Sequence, residues 1–446
     1  MNNQNIKDVP TFIEFVVIGF GASGIAASIE LTKYKIPFIV LEKDSTFGGC
    51  WNYALDSSSL QTHRNCYKFK GVDYDKGTGS FPNKKEILSY FKKSIKIFNI
   101  EQHVFYNVNA SIKNGNKNGN WCIDVNNSTQ LYCNHILLCS GVNFHANIPK
   151  FKQFNFKFKN SEKNKKQLRV IHTKDFSKFI KINDCYLNEK KKIIIVGNGA
   201  SCCDVLKKIT TLKNYKNSEI MVFYRSNKYF LPKYIFGIPC HYFLTMPLLY
   251  FFEKISLTVN VVLLTLANMI FINNYLDIPL TKIDSYNIVA SLIIQTLIKE
   301  RILSYHKESI EKIDYSNKIV KTDSAIYTNV DLVIFATGYR EYNLKEDFGI
   351  NDQISKVFYN YIIPVVKDKT DFKIVPNLGL IGINRTYNFL VNSQVRTKWY
   401  IENVYLRNNL VDKHIISWID KTRKKKEKNN LRFLDSTYEL FEIKYR

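Results

Sequence analysis

The chain has 446 residues, 45% hydrophobic and 23% charged, which excludes a disordered polymer and allows two or three domains. Its formal net charge is +25, but the excess is scattered, and the basic runs Lys163–Lys166 and Lys421–Lys428 lack interleaved aromatics. That argues against nucleic acid as a partner and leaves codon bias, or attraction to anionic cofactors or an anionic membrane surface.

The residues from Met1 to Pro10 are polar and hold no apolar signal core. Phe15–Ile18 then reads as a short buried strand, Ser23 to Tyr34 as a helix and Phe38–Leu41 as a second strand, together a β-α-β unit. Between strand and helix lies Gly19-Phe20-Gly21-Ala22-Ser23-Gly24, a G-x-G-x-x-G loop. The first glycine permits the turn, the second lets backbone approach a pyrophosphate, and the third lets helix and strand pack closely. The helix start offers N–H groups and a positive dipole end to phosphates. Glu42, closing the second strand, is placed to accept from ribose hydroxyls. Gly48-Gly49-Cys50-Trp51 follows, two more glycines for a close backbone approach to the flavin side of a cofactor. Trp51 packs either near the cofactor's ring system or in the core.

Lys84 to Phe98 reads as an amphipathic helix with Ile87, Leu88, Phe91, Ile95 and Phe98 on one face. From Val104 to Leu138 short strands are expected, with hairpin signals at Asn114-Gly115 and Asn118-Gly119. The strand His135–Cys139 ends in Ser140-Gly141. Residues 150–190 read as a weakly patterned connection. A second β-α-β unit follows in Lys192–Val196, Ser201 to Ile209 and Ile220–Tyr224. Its loop is Gly197-Asn198-Gly199-Ala200-Ser201-Cys202, with a small cysteine at the third glycine position. No acid closes its second strand. Arg225 stands there instead, which favours a 2′-phosphate and so NADP over NAD, unless it is only a solvated charge.

Residues 230–305 read as an apolar helical region. Within it Ile255 to Ile272 approaches the roughly 20 residues that span a bilayer. Ser256, Thr258, Asn260, Thr265 and Asn268 favour burial or surface docking over spanning. Strands return at Ile319–Lys321, at Leu332–Phe335 before Ala336-Thr337-Gly338, and at Leu378–Ile381, and a helix is expected from Asn392 to Arg407. The nine cysteines form no Cys-x-x-Cys pair or zinc spacing; they are read as reduced and mostly structural. No metal is expected, and an intracellular, cytoplasmic location is. A disulfide reductase would need a redox pair and is set aside.

These motifs resemble the class B flavoprotein monooxygenases, and within them the flavin-containing monooxygenase family, its plant-type members above all. The likeness runs from about Phe15 to Trp399 in the family order: first loop, Glu42-Lys43, Gly48-Gly49-Cys50-Trp51, Leu60-Gln61-Thr62, second loop, Ala336-Thr337-Gly338. Leu231-Pro232-Lys233-Tyr234, Leu276 to Lys282, Leu380-Ile381-Gly382 and Gln394 to Trp399 also resemble family segments. Of the linker signature F-x-G-x-x-x-H-x-x-x-[FY], His172 and Phe176 match, while Lys166 and Leu168 depart from it. Gln61 stands where animal enzymes carry an Asn near the flavin.

The resemblance implies an α/β fold of two Rossmann-like, doubly wound domains, the second inserted in the first: FAD on 1–185 and 325–446, NADP on 186–324, with an apolar helical insertion at about 235–305. It implies FAD and NADP as cofactors. Their contacts are Gly19, Gly21, Ala22, Ser23, Gly24, Glu42, Lys43, Gly49, Cys50, Trp51 and Thr62 in the first part. In the second they are Gly197, Asn198, Gly199, Ala200, Ser201, Cys202, Asp204 and Arg225; Thr337 and Gly338, within 325–446, complete the set, with Gln61 as the catalytic amide. It further implies an N,N-dimethylaniline-type monooxygenase in which NADPH reduces FAD and a peroxyflavin transfers one atom of O2 to a soft nitrogen, sulfur or carbonyl substrate. The alternatives are another NADPH:flavin oxidoreductase and a catalytically silent flavoprotein held at the cytoplasmic face of a membrane through residues 243–299. His63 is read as structural.

Overall fold

The computed structural model describes residues 9–113, 120–149, 167–226, 228–235, 237–239, 288–340, 342–350, 354–359, 362–368, 371–383 and 388–407. The Asn-Gly signals at 114–119, both basic runs, and residues 240–287 of the insertion, which include the segment 255–272 and the 276–282 motif, lie outside the described residues. In chain order the main strands are β1 (Phe12–Ile18), β2 (Phe38–Leu41), β3 (Val104–Phe105), β4 (Ala110–Lys113), β5 (Trp121–Val125) and β6 (Thr129–Leu138). Then come β7 (Arg169–His172), β8 (Lys192–Val196), β9 (Glu219–Phe223), β10 (Leu303–His306), β11 (Leu332–Phe335) and β12 (Leu378–Leu380). The helices used below are α1 (Ala22–Lys33), α2 (Lys84–Ile97), α3 (Thr173–Ile182), α4 (Ala200–Ile209), α5 (Ile293–Lys299) and α6 (Phe389–Tyr400).

The chain divides into two units. The first holds Met1–Asn52, Arg64–His145 and Arg340–Arg446, and the second Tyr53–His63 and Ala146–Tyr339. In the first, the sheet order is β3-β2-β1-β6-β5-β4. Strands β3, β2, β1 and β6 run parallel to one another, and β5 is antiparallel to both β6 and β4. The length of β6 lets one edge serve two partners: Thr129–Cys133 pairs with β5, and Ile136–Leu138 pairs in parallel with β12. One face packs Val16, Ile18, Ile39, Leu41, Ile136 and Leu138 into a single core. On the other, Phe15 stacks on His135 with ring centroids 4.6 Å apart. Helix α2 starts in a capping box between Asn83 and Glu86, which satisfies two otherwise unpaired N–H groups.

The second unit carries a wholly parallel sheet, order β10-β9-β8-β11-β7. Its strands are continuous apolar runs because both faces are covered. Ile193, Ile195, Val222 and Ile334 enter the core under α3, α4 and α5, while Ile194, Phe223, Val333 and Phe335 enter the opposite one. Each such fully buried side chain contributes about 1.5–3 kcal/mol.

Both units are thus α/β with parallel sheets, as expected, but several boundaries differ. Strands β7 and β11, placed by sequence at the borders of the first part, pair with each other, and β11 pairs with β8. The stretch 150–190, read as a connection, holds β7 and α3, whose buried Phe176 and Ile180 were hidden among lysines. Leu303–His306, expected to be helical, is an edge strand. The C-terminal helix ends at Tyr400 and continues as one turn of π-helix, Ile401–Tyr405. Among the described residues no helix is long and apolar enough to cross a membrane.

Candidate functional site

The first loop is built as the glycine pattern demands. Gly19 has φ +97, and a Cβ there would lie 2.9 Å from the Cys139 carbonyl oxygen. A Cβ on Gly24 would lie 1.9 Å from the Gly19 oxygen, so helix and strand pack closer than any side chain allows. Helix α1 starts after Gly21 with no side-chain cap and no acid in its first turn, so neither offers its leading N–H groups an acceptor. The Ser140 hydroxyl, on the strand end beside Gly19, is buried and finds no partner among the described residues. An oxyanion of a diphosphate fits this set of free donors. Gly382 closes in from β12, where a Cβ would lie 1.9 Å from Ser23 Oγ.

Glu42 is 4% exposed. Phe20 N–H donates to its Oε2 at 2.5 Å and Asp44 N–H to its Oε1 at 2.8 Å. The carboxylate therefore ties the end of β2 to the loop and keeps lone pairs for further donors. Burial raises its pKa, and the two N–H bonds oppose that rise. The Gly48-Gly49 turn presses on the loop: both residues have positive φ, and a Cβ on Gly49 would lie 3.1 Å from the Gly21 Cα. Trp51 is half-buried and donates Nε1–H to the Tyr67 oxygen at 3.0 Å, which orients the indole. Cys50 is exposed, and Lys43 lies over the Phe144 ring at 4.7 Å.

The second loop repeats the plan. Gly197 has φ +105, and a Cβ there would lie 2.5 Å from the Ala336 oxygen. Helix α4 again starts at a glycine, Gly199, without side-chain cap or acid in its first turn. Cys202, third in the pattern, is fully buried beside Cys203 in the unit core, as a small apolar residue would be. Where the first loop is tied by a carboxylate, here Asn198 Nδ2 donates to the Ser226 oxygen at 3.1 Å and to Tyr305 at 2.7 Å. Arg225 is exposed just past the end of β9. Thr337 and Gly338 follow β11. The Gly338 oxygen accepts from Asn147 N–H at 2.9 Å and from His172 Nε2 at 3.0 Å, and Thr337 donates to the Asn147 oxygen.

His172 was legible only as a fragment of the linker signature, and its role here was missed. Its Nδ1 caps α3 by accepting from Lys174 N–H, so the proton sits on Nε2 and faces Gly338. Burial lowers its pKa, which keeps the ring neutral.

Gln61 and Thr62 depart from the flavin-side expectation. They belong to the second unit, on the short stretch Tyr53–His63. Ala290 N–H donates to Gln61 Oε1 at 3.0 Å. Asp204 bonds the Ser58 side chain and stands 3.8 Å from Lys207, and burial raises its pKa. The expected residues thus fall into two groups, one in each unit, with Gln61, Thr62, Thr337 and Gly338 in the second.

Residues 14–445 match the profile of the family described as FMO-like, flavin-binding monooxygenase-like. The thiol-specific monooxygenase of Saccharomyces cerevisiae is 27% identical over 221 residues, covering 44% of this chain and 46% of that protein. The probable indole-3-pyruvate monooxygenase YUCCA1 of Arabidopsis thaliana is 21% identical over 227 residues, 50% of each. The chain spans about half the length of these curated relatives. A crystal structure of OTEMO in complex with FAD and NADP is similar in fold, with a TM-score of 0.67 at 13% identity over 94% of this chain and 90% of that one.

Proposed function

The chain belongs to the flavin-binding monooxygenase-like family, and from that premise we propose that it is an FAD-dependent, NADPH-using monooxygenase. It inserts one oxygen atom from O2 into a small soft nitrogen or sulfur nucleophile, of the dimethylaniline type, or into a carbonyl compound. The observation that carries the reading is the repeated loop: two helices that each begin at a bare glycine, without cap or acid, against a positive-φ glycine that touches the next strand end. Two dinucleotides are what two such sites accept.

FAD belongs on the first unit, with Gly19–Gly24 and Ser140 on its diphosphate and Glu42 accepting from its ribose hydroxyls. NADPH belongs on the second, with Gly197–Ser201 on its diphosphate and Arg225 on its 2′-phosphate. When bound, FAD and NADPH supply the hydride and the activation of O2. The protein binds and orients them and excludes water. His172 holds the Thr337-Gly338 turn still, and Asn198 holds the end of β9 where the 2′-phosphate is read.

The test is oxygen-dependent NADPH oxidation by the FAD-loaded chain, with trapping of an oxygenated amine, sulfide or ester. The expected result is NADPH consumption that rises with such a substrate. In Arg225→Ala, KM for NADPH should rise by about 10–100-fold, as expected for loss of a charged hydrogen bond, with KM for NADH little changed. FAD-loaded protein that consumes no NADPH overturns the proposal and leaves the silent flavoprotein.

A further inference from the structure

Four successive polar ties hold one short stretch onto the second unit. Ser57 Oγ donates to the Asp204 main-chain oxygen at 3.0 Å, and Ser58 bonds the Asp204 carboxylate. Lys233 Nζ donates to Ser59 Oγ at 2.8 Å, and Ala290 N–H donates to Gln61 Oε1 at 3.0 Å. Below them Leu55, 5% exposed, lies in the apolar core that also contains Phe176 and Cys202. Nothing local demands this: the stretch is irregular backbone, and ordering it costs about 1–2 kcal/mol per residue. Three remote segments supply the ties, namely α4, the Leu231-Pro232-Lys233-Tyr234 motif and the residue after Val289.

The last tie fixes chemistry. Because the Ala290 N–H needs an acceptor, the Gln61 amide points its oxygen there, and Nε2 keeps its two N–H donors for something else. Resting on the reading of this unit as the NADPH domain, we propose that Asp204 and Lys233 are positioning residues that pin 57–61 so that Gln61 donates to an acceptor on the bound dinucleotide, the carboxamide oxygen of the nicotinamide. Asp204 acts through Ser58 and Lys233 through Ser59; neither touches the reacting atoms. The position after the second phosphate loop is thereby given a task apart from phosphate binding.

The test uses the full FAD-loaded chain and two readouts: hydrogen exchange in the peptide covering 57–63, and KM against kcat for NADPH. Asp204→Ala should speed exchange there by about tenfold and raise KM for NADPH by about tenfold, the loss of one charge-assisted hydrogen bond, with FAD content unchanged. Asp204→Asn keeps a side-chain oxygen for Ser58 and should return both toward the parent values. Lys233→Met should move both the same way and guards against a folding defect in Asp204→Ala. Unchanged exchange in both Asp204→Ala and Lys233→Met, or faster exchange with unchanged KM, overturns the proposal. If the parent chain oxidises no NADPH, the functional reading fails, while exchange still decides whether Asp204 holds the stretch.

Discussion

A methyl group separates the two phosphate loops from their neighbours, and single substitutions should report it. Gly24→Ala places a Cβ 1.9 Å from the Gly19 oxygen, so the loop must open. The expected outcome is loss of bound FAD together with about 1–3 kcal/mol of stability, read by flavin content and denaturant midpoint. Gly197→Ala forces φ +105 on a side chain 2.5 Å from the Ala336 oxygen and should cost a similar amount. It should weaken NADPH and leave FAD bound, so the pair separates the two sites. His135 gives a second residue-level test. It is 7% exposed, stacked on Phe15 and bonded to the Tyr400 hydroxyl, and burial lowers its pKa to about 4. The unfolded chain takes up that proton first, near pH 6.5, so stability is full above that value and falls as pH drops toward 4, by up to about 3 kcal/mol. A unit-specific unfolding signal followed from pH 7 to 4 should show the loss, and His135→Gln should flatten it; equal slopes in the two proteins would contradict it. The glycines and Glu42 were legible from spacing alone. Asn198 was singled out by sequence, but its tie to Ser226 and Tyr305 was not, because Ser226 follows β9 and Tyr305 lies on β10, both remote in sequence.

At the scale of elements, the nucleotide-binding strands and helices were readable because their patterns are local. β2, β8 and β11 fall where their apolar runs place them, with α1 and α4 opening at the expected glycines. What failed was assignment where patterning is diluted. β7 and α3 sit among lysines, and of their residues Ile171, Phe176 and Ile180 are fully in the core under α3, α4 and α5. Leu303–His306 reads as helix in sequence because a short run has no period of its own, and pairing with β9 decides it as a strand. The α3 start is the most testable of these. His172→Ala removes an N-cap and the tie to the Gly338 oxygen, about 1 kcal/mol each. The expected result is a drop of about 2 kcal/mol in the second unit and weaker NADPH binding, while His172→Asn should keep the cap and recover about half. A drop in FAD content with NADPH binding intact would contradict the assignment of the Thr337-Gly338 turn.

For the molecule as a whole, the two-unit plan was visible in the duplicated loops, but its borders were not. The second unit takes Ala146–Tyr339 and also Tyr53–His63, a stretch far away in sequence and with no periodic signal. Side-chain ties and the burial of Leu55 place it there, and neither is written in local composition. The resemblance places Gln61 on the flavin side, whereas its bond to Ala290 N–H lies within the second unit. The claim on which everything else depends is that the two loops serve different dinucleotides in one catalytic cycle. The most direct test is anaerobic mixing of the FAD-loaded chain with NADPH or NADH while the flavin's visible absorbance is followed, in the parent chain and in Gly197→Ala. The account expects one tightly bound FAD per chain, rapid bleaching by NADPH, much slower bleaching by NADH, and bleaching slowed in the variant without loss of flavin. A chain that binds no FAD, or one whose flavin is reduced equally well with and without an intact second loop, would contradict it.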